Sequence, residues 1–335
     1  MKNTKFLWYF ILFAFLFTTA CNKDDDEPTP PQVNESETLV SYLESTSCPA
    51  GKDFVNTDMP TIMPASDVKT LNETGQVYII DIRSDADFAT GHIANAVNVT
   101  LGNILTHIES VDLTNYTKVA IVCYTGQTAG FAASILRLMG YDKVFSMKWG
   151  MCSWHEDFAG KWNSNISNLY SIQFTSDATA KAASGDLPVI STGKTTGQEI
   201  LEARVDAVLA EGFSPMATIT GAAVFDNLDN YYIVNYWPEN HYTDPGHIPG
   251  AMQYTPKESM KLSVDLKTLP TDKTIAVYCY TGQTSAYLTA YLRLLGYDAK
   301  SVLFGTNGMI YDDMIDAGIT SVFSDAQIMG YDYVN

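Results

Sequence analysis

The chain is predicted to be an α/β protein of two three-layer domains, each a mainly parallel sheet with helices on both faces. Three observations predict this. The hexapeptide Cys-Tyr-Thr-Gly-Gln-Thr occurs twice, at Cys123–Thr128 and Cys279–Thr284. Its flanks keep register: an apolar run precedes each copy, and Leu-Arg-Leu followed by Gly-Tyr-Asp closes each following segment, at Gly140–Asp142 and Gly296–Asp298. Short apolar runs alternate with helix-like segments, as in a parallel sheet covered on both faces. A cysteine loop repeated in phase with its flanks is a tandem duplication, and 335 residues suffice for two domains with their own cores.

The first residues read as a targeting segment. Lys2 and Lys5 precede the apolar run Phe6–Phe17, which is short for a membrane span. Thr18-Thr19-Ala20-Cys21 follows and resembles a bacterial lipoprotein signal, which implies cleavage before Cys21 and acylation of Cys21. An ordinary secretory signal or a signal anchor is the alternative. Residues 22–31 are charged and Pro-rich, so 1–20 is read as the signal and 21–57 as a lipidated cysteine with a flexible tether. The acidic run after the cysteine resembles the surface-export signal of Bacteroidota lipoproteins. Anchoring to the cell envelope, at the outer membrane, is therefore expected.

The first unit is placed at 58–160. It should run as helix Ala65–Asn72, strand Val77–Ile82, short strand Ala96–Val99, helix Ile104–Val111, strand Lys118–Val122, helix Ala129–Met139 and strand Lys143–Met147. The polar stretch 161–185 reads as a linker. The second unit, 186–325, should carry strands Tyr231–Tyr236, Ala251–Tyr254, Thr274–Tyr278 and Lys300–Phe304 with helix Ser285–Leu295. Asp58–Ile62 and Asp186–Ile190 look like matching starts, Gly212–Asn230 reads as a surface insertion, and 326–335 is a tail.

Composition narrows the partners. Charged residues are 17% of the chain and the net charge is −18. Nucleic acid is excluded as a partner, because phosphate binding needs a basic face. Five cysteines are present: Cys21, Cys48, Cys123, Cys152 and Cys279. Two of them sit in the repeated loop, which argues for reactive thiols rather than structural disulfides. No His/Cys spacing resembles a metal site, and no cofactor is expected.

Ligands of an open parallel sheet bind beyond the carboxyl ends of its strands. Cys123 and Cys279 stand at that edge, each before a helix start. Gly126 and Gly282 permit the tight curl. Loop amides turned inward form an anion nest, and with the helix N-terminus they should lower the thiol pKa. Thr128 and Thr284 offer hydroxyl donors.

Each unit thus resembles a rhodanese (sulfurtransferase) domain, whose active loop is a six-residue Cys-x-x-Gly-x-Ser/Thr. The first unit also shows Asp81-Ile-Arg83, Asp87-Phe88, Gly91-His92-Ile93, Ala96 and Asn98 in the family's order; the second keeps Gly246-His247-Ile248 but reads Asn235-Tyr236-Trp237 in place of Asp-x-Arg. The resemblance implies that Cys123 and Cys279 hold a persulfide. Around them, Tyr124, Thr125, Gly126, Gln127 and Thr128, and Tyr280, Thr281, Gly282, Gln283 and Thr284, would cradle the sulfur. The implied partners are a small sulfur-containing donor and a thiophilic acceptor. Neither loop holds an Arg or Lys, which disfavours phosphatase chemistry.

Other roles stay open at this level. Asp81 and Arg83 are expected to pair and support the loop floor, and His92 and His247 to hydrogen bond within their turns, with proton transfer as the alternative. Cys152, whose expected counterpart is Ile310, is a candidate resolving thiol for Cys123. A non-catalytic binding module of the cell envelope and a thiol-redox protein using Cys123 and Cys152 are the competing functions.

Overall fold

Val119, Ala120, Ile121 and Val122 are all buried. A strand apolar on both faces can only be central, and so it is in the computed structural model, which describes residues 34–335. The signal segment, Cys21 and the first part of the tether lie outside the described residues. The strands β1 (Ile62–Met63), β2 (Val77–Asp81), β3 (Val97–Asn98), β4 (Lys118–Val122) and β5 (Val144–Met147) form one parallel sheet in the order β1-β5-β4-β2-β3. The strands β6 (Thr218–Ile219), β7 (Tyr231–Asn235), β8 (Met252–Gln253), β9 (Thr274–Tyr278) and β10 (Ala299–Val302) repeat it as β6-β10-β9-β7-β8.

The helices after the two cysteine loops, Gln127–Leu138 and Gln283–Leu294, begin two residues earlier than expected. Their N-cap glycines, Gly126 and Gly282, adopt the left-handed conformation, with φ of 84° and 75°. Almost every residue of both helices is buried. A helix buried all round must be covered on all sides, and here the two helices pack against one another as well as on their own sheets. Gly130 allows the approach, since a Cβ there would lie 2.9 Å from the Gln283 carbonyl oxygen. Ser134 Oγ donates to the Tyr287 carbonyl at 2.9 Å across the same contact.

Three expectations are corrected. Residues 34–57 are not tether: Glu35–Leu43 is a helix capped by Asn34 Oδ1, and Leu39, Val40 and Leu43 are buried with Phe54 and Val55. That apolar face packs on a second unforeseen helix, Gly197–Glu211. The second sheet begins at Thr218, not at Asp186–Ile190, so Gly212–Asn230 is no insertion but supplies edge strand β6 and helix Gly221–Asp226. A strand of two residues is too short to show alternation.

The linker and the tail are straps. The segment after the first repeat crosses to the second: Ser167 N donates to Asn307 O at 3.0 Å, Tyr170 N to Met309 O at 3.1 Å, and Thr175 pairs with His247. The segment after the second repeat crosses back: Met329 N donates to Ser153 O and Tyr331 N to Trp154 O, both at 2.9 Å, and Val334 pairs with His92.

Candidate active site

β4 and β9 end one residue before Cys123 and Cys279, and the backbone then curls through a left-handed glycine into the helix that follows. The curl aims N–H groups at sulfur. Cys123 Sγ accepts from Gly126 N at 3.1 Å and from Ala129 N at 3.3 Å. Cys279 Sγ accepts from Ser285 N at 3.3 Å. Of the five loop residues Tyr124 to Thr128, Gly126 donates to Cys123, and the second donor lies one residue beyond the loop.

The hydroxyl assignment is corrected. Thr128 and Thr284 make no hydrogen bond to either sulfur. In the second repeat Ser285 does: Cys279 Sγ donates to Ser285 Oγ at 3.6 Å, and Ser285 Oγ lies 2.8 Å from Ser301 Oγ. Ser301 Oγ in turn donates to the Gly282 carbonyl at 3.3 Å. Thr281 Oγ1 is 4.0 Å from the sulfur and accepts from Gln283 N at 3.1 Å.

Both sulfurs are deeply placed, Cys123 being 4% exposed and Cys279 2%. For Cys123 the expected lowering of the pKa is overturned. Burial pushes the thiol above its ordinary value; the amides of Ala129, Thr125 and Gly126 pull it down less strongly, and the Asp81 carboxylate adds to the rise. The nest is present, but desolvation outweighs it.

Asp81 and Arg83 form the floor of the first site. Arg83 Nε lies 3.0 Å from both carboxylate oxygens, Nη2 lies 2.7 Å from Oδ2, and Nη2 also donates to the Gly91 carbonyl. Both side chains are buried, so the pair is held by charge-assisted bonds out of water. In the second repeat Asn235 and Trp237 replace them. Asn235 Nδ2 donates to Tyr278 Oη at 2.8 Å, and Trp237 stacks on Tyr280 with ring centroids 4.9 Å apart. Tyr280 Oη also contacts His241 Nδ1.

The histidines serve their turns. His92 Nδ1 lies 3.0 Å from the Phe88 carbonyl and its ring stacks on Phe88. The nitrogens of His247 lie against the carbonyls of Tyr242 and Asp177, at 2.7 and 3.0 Å. Neither imidazole hydrogen bonds to a sulfur. Cys152 is wholly buried, its Sγ donates to the Phe158 carbonyl at 3.0 Å, and burial pushes its pKa up to about 12. Cys152 and Cys123 are both free, buried thiols. Its counterpart is Asn307, not Ile310. Cys152 N donates to Tyr124 O at 3.2 Å, as Asn307 N does to Tyr280 O at 3.1 Å.

The sequence reading missed three contacts of the loops. Trp162 Nε1 donates to the Thr125 carbonyl at 3.1 Å. Asn307 Nδ2 donates to the Tyr280 carbonyl at 2.7 Å. Gln127 Oε1 accepts from Phe304 N at 2.8 Å, from one repeat to the other. The repeated Gln was visible in sequence, but nothing local named its partner.

The model of the rhodanese-like domain family matches residues 64–157 and again 225–309, more than half of the chain. The chain belongs to the rhodanese-like domain family. Its two rhodanese-like domains share the parallel five-stranded sheet, with the cysteine loop after the central strand in each. The chain is similar to the thiosulfate sulfurtransferase GlpE of Shewanella oneidensis, 35% identical over 86 residues, covering 26% of this chain and 83% of the relative. A protein of the same name from Pseudomonas fluorescens is 31% identical over 105 residues, covering 31% of this chain and 94% of the relative. A solved rhodanese-like domain protein from Staphylococcus aureus is 24% identical, with a TM-score of 0.25, over 27% of this chain and 87% of that one. Each of these rhodanese likenesses therefore spans about one of the two repeats.

Proposed function

We propose that this protein is a rhodanese-type sulfurtransferase that carries sulfane sulfur as a cysteine persulfide and is lipid-anchored to the cell envelope. The observation that carries the reading is the convergence of Gly126 N and Ala129 N on Cys123 Sγ, and of Ser285 N on Cys279 Sγ. Such donors stabilise a thiolate and the terminal sulfur of a persulfide. The relatives named thiosulfate sulfurtransferase support the same class, and the first twenty-one residues support the anchor.

The chemistry balances in two steps. The cysteine thiolate attacks the outer sulfur of a sulfane donor; the new S–S bond forms as the donor's bond to that sulfur breaks, and the leaving group departs with the electron pair, as sulfite when the donor is thiosulfate. A thiophilic acceptor then attacks the terminal sulfur of the persulfide, the Cys–S–S bond breaks, and the thiolate is regenerated. Both loops are themselves neutral, so the donor's charge meets backbone N–H groups within them.

One observation favours a second reading, a binding module without turnover: neither cysteine is more than 4% exposed. Mass mapping of the protein after thiosulfate, beside Cys123→Ser and Cys279→Ser, separates the two. A gain of one sulfur that vanishes in either variant identifies the working cysteine. No gain with thiosulfate, a mercapto-acid or a persulfide donor leaves the binding module.

A further inference from the structure

The two cysteine loops are built into each other. A Cβ placed on Gly126 would lie 1.7 Å from Gln283 Nε2, and one placed on Gly282 would lie 2.3 Å from Gln127 Oε1. Each turn glycine is therefore roofed by the glutamine of the other loop, and no side chain fits at either position. Gln127 and Gln283 are 2% and 1% exposed, so their amides must find partners inside the protein.

Gln127 finds them on both sides. Its Nε2 donates to Thr125 Oγ1 at 3.0 Å in its own loop, and its Oε1 accepts the Phe304 N–H at 2.8 Å in the other repeat. Phe304 opens the turn that backs the Cys279 loop, where Thr306 N donates to Cys279 O at 3.0 Å and Asn307 N to Tyr280 O at 3.1 Å. The first repeat has the same turn: Trp149 opens it, Met151 N donates to Cys123 O at 2.9 Å and Cys152 N to Tyr124 O at 3.2 Å. Trp149 and Phe304 both hold a left-handed backbone, with φ of 65° and 62°. Bulky residues seldom adopt it, and it persists only where the surroundings hold it.

Gln283 faces Trp149 as Gln127 faces Phe304. The site of a Gly126 Cβ lies 3.0 Å from Trp149 N, and that of a Gly282 Cβ lies 2.9 Å from Phe304 N. Gln283 Nε2 is a buried donor without a hydrogen-bond partner. The oxygen and nitrogen of a glutamine amide are assigned from their neighbours. Turning this amide over puts an acceptor in place of the unpartnered donor, beside the same Gly126 position that Trp149 N borders.

We propose that Gln127 and Gln283 form a reciprocal latch, in which each glutamine is a positioning residue for the cysteine of the other repeat. Gln127 fixes the turn behind Cys279, and Gln283 fixes the turn behind Cys123. The repeats then work as one paired site, and a change at one loop reaches the other through a single side chain. The consequence for sulfur transfer rests on the proposed function; the latch itself does not.

The test is the rate at which each cysteine of the purified full chain reacts with iodoacetamide, read by mass mapping. A buried thiol reacts from a locally opened state, so its rate follows the population of that state. Gln127→Met keeps the volume and removes the acceptor. Loss of one buried hydrogen bond should raise Cys279 labelling about tenfold, while Cys48 and Cys152 keep their rates. Gln283→Met should raise Cys123 labelling likewise, with Cys48 as the control, since Cys152 belongs to the turn that Gln283 fixes. Gln127→Asn, which keeps the amide but shortens its reach, is the second variant and should match the Met variant. Unchanged Cys279 labelling in both Gln127 variants overturns the latch, and so does acceleration of Cys48, Cys123, Cys152 and Cys279 together, which marks general loosening. Labelling needs no sulfur donor, so the latch can stand or fall apart from the sulfurtransferase reading.

Discussion

Ser285 holds its hydroxyl 3.6 Å from the Cys279 sulfur, at the position that Ala129 occupies beside Cys123. The two sites therefore share a backbone nest and differ in what surrounds it. The second has a chain of two hydroxyls, Ser285 and Ser301, and the neutral Asn235. The first has no hydroxyl on its sulfur and a buried carboxylate, Asp81, near enough to disfavour the thiolate. The second repeat therefore has a neutral amide where the first has a carboxylate, and a serine hydroxyl that accepts from its thiol.

Ser285→Ala should slow persulfide formation at Cys279 about tenfold. The hydroxyl accepts from the thiol, and once the sulfur ionises it turns to donate to it. A hydrogen bond to an ionised group is worth roughly 1.5–3 kcal/mol, and 1.4 kcal/mol is about a factor of ten. The check is the rate of sulfur gain at the Cys279 peptide in a Cys123→Ser background. An unchanged rate removes the hydroxyl from the mechanism.

Asp81→Asn should destabilise the protein by about 3–5 kcal/mol, because it leaves the Arg83 guanidinium buried without its counter-charge. Asp81→Asn with Arg83→Trp, the combination the second repeat already carries as Asn235 and Trp237, should regain much of that loss. Thermal unfolding of the three proteins decides it; a double variant no more stable than the single one contradicts the argument.

The pH dependence of Cys123 has a definite sign. Its thiol is raised above 9.0, chiefly by burial. The folded protein thus holds the proton after an unfolded thiol has lost it. Alkylation of Cys123 should keep climbing with pH beyond 9.0 and show no plateau in the neutral range. The same group contributes stability that is full below the unfolded thiol's pKa and is lost as pH rises through the folded one. A labelling profile that levels near pH 7 would falsify this.

Truncation after Ile328 should weaken the first repeat selectively. It removes the strap bonds at Met329, Tyr331 and Val334 and the bond from Trp154 Nε1 to the Asp332 carbonyl. At about 1 kcal/mol for each hydrogen bond, less the entropy regained by the freed segment, the loss is roughly 2–4 kcal/mol. Hydrogen exchange should rise at His92 and Trp154 and stay level at His247, which the other strap covers. Equal loosening of both repeats would show that the strap does not belong to the first.

What was legible in the sequence was what local chemistry specifies. β4 and β9 needed only runs such as Val119–Val122 and Thr274–Tyr278, and the loops needed a glycine able to turn left-handed before a helix. The repeated cysteine loop and the Asp81-Ile-Arg83, Gly91-His92-Ile93 and Asn98 series named the fold and placed the thiols at the sheet edge. The reading failed where a segment's fate depends on a surface it cannot specify. Leu39, Val40 and Leu43 make an apolar face whose partner, the helix Gly197–Glu211, lies far along the chain. The straps are polar and bind through backbone pairing, which leaves no pattern in side chains. The repeat announced two glutamines but not that each crosses to the other's loop. Nor could it say that burial would outweigh the nest at Cys123, since desolvation depends on what packs over the sulfur. Sequence by itself determined two copies of one cysteine-bearing unit. Tertiary packing decided that their loop helices lie against each other and so join the two sites, because helices buried on nearly every side need a second cover beyond their own sheets.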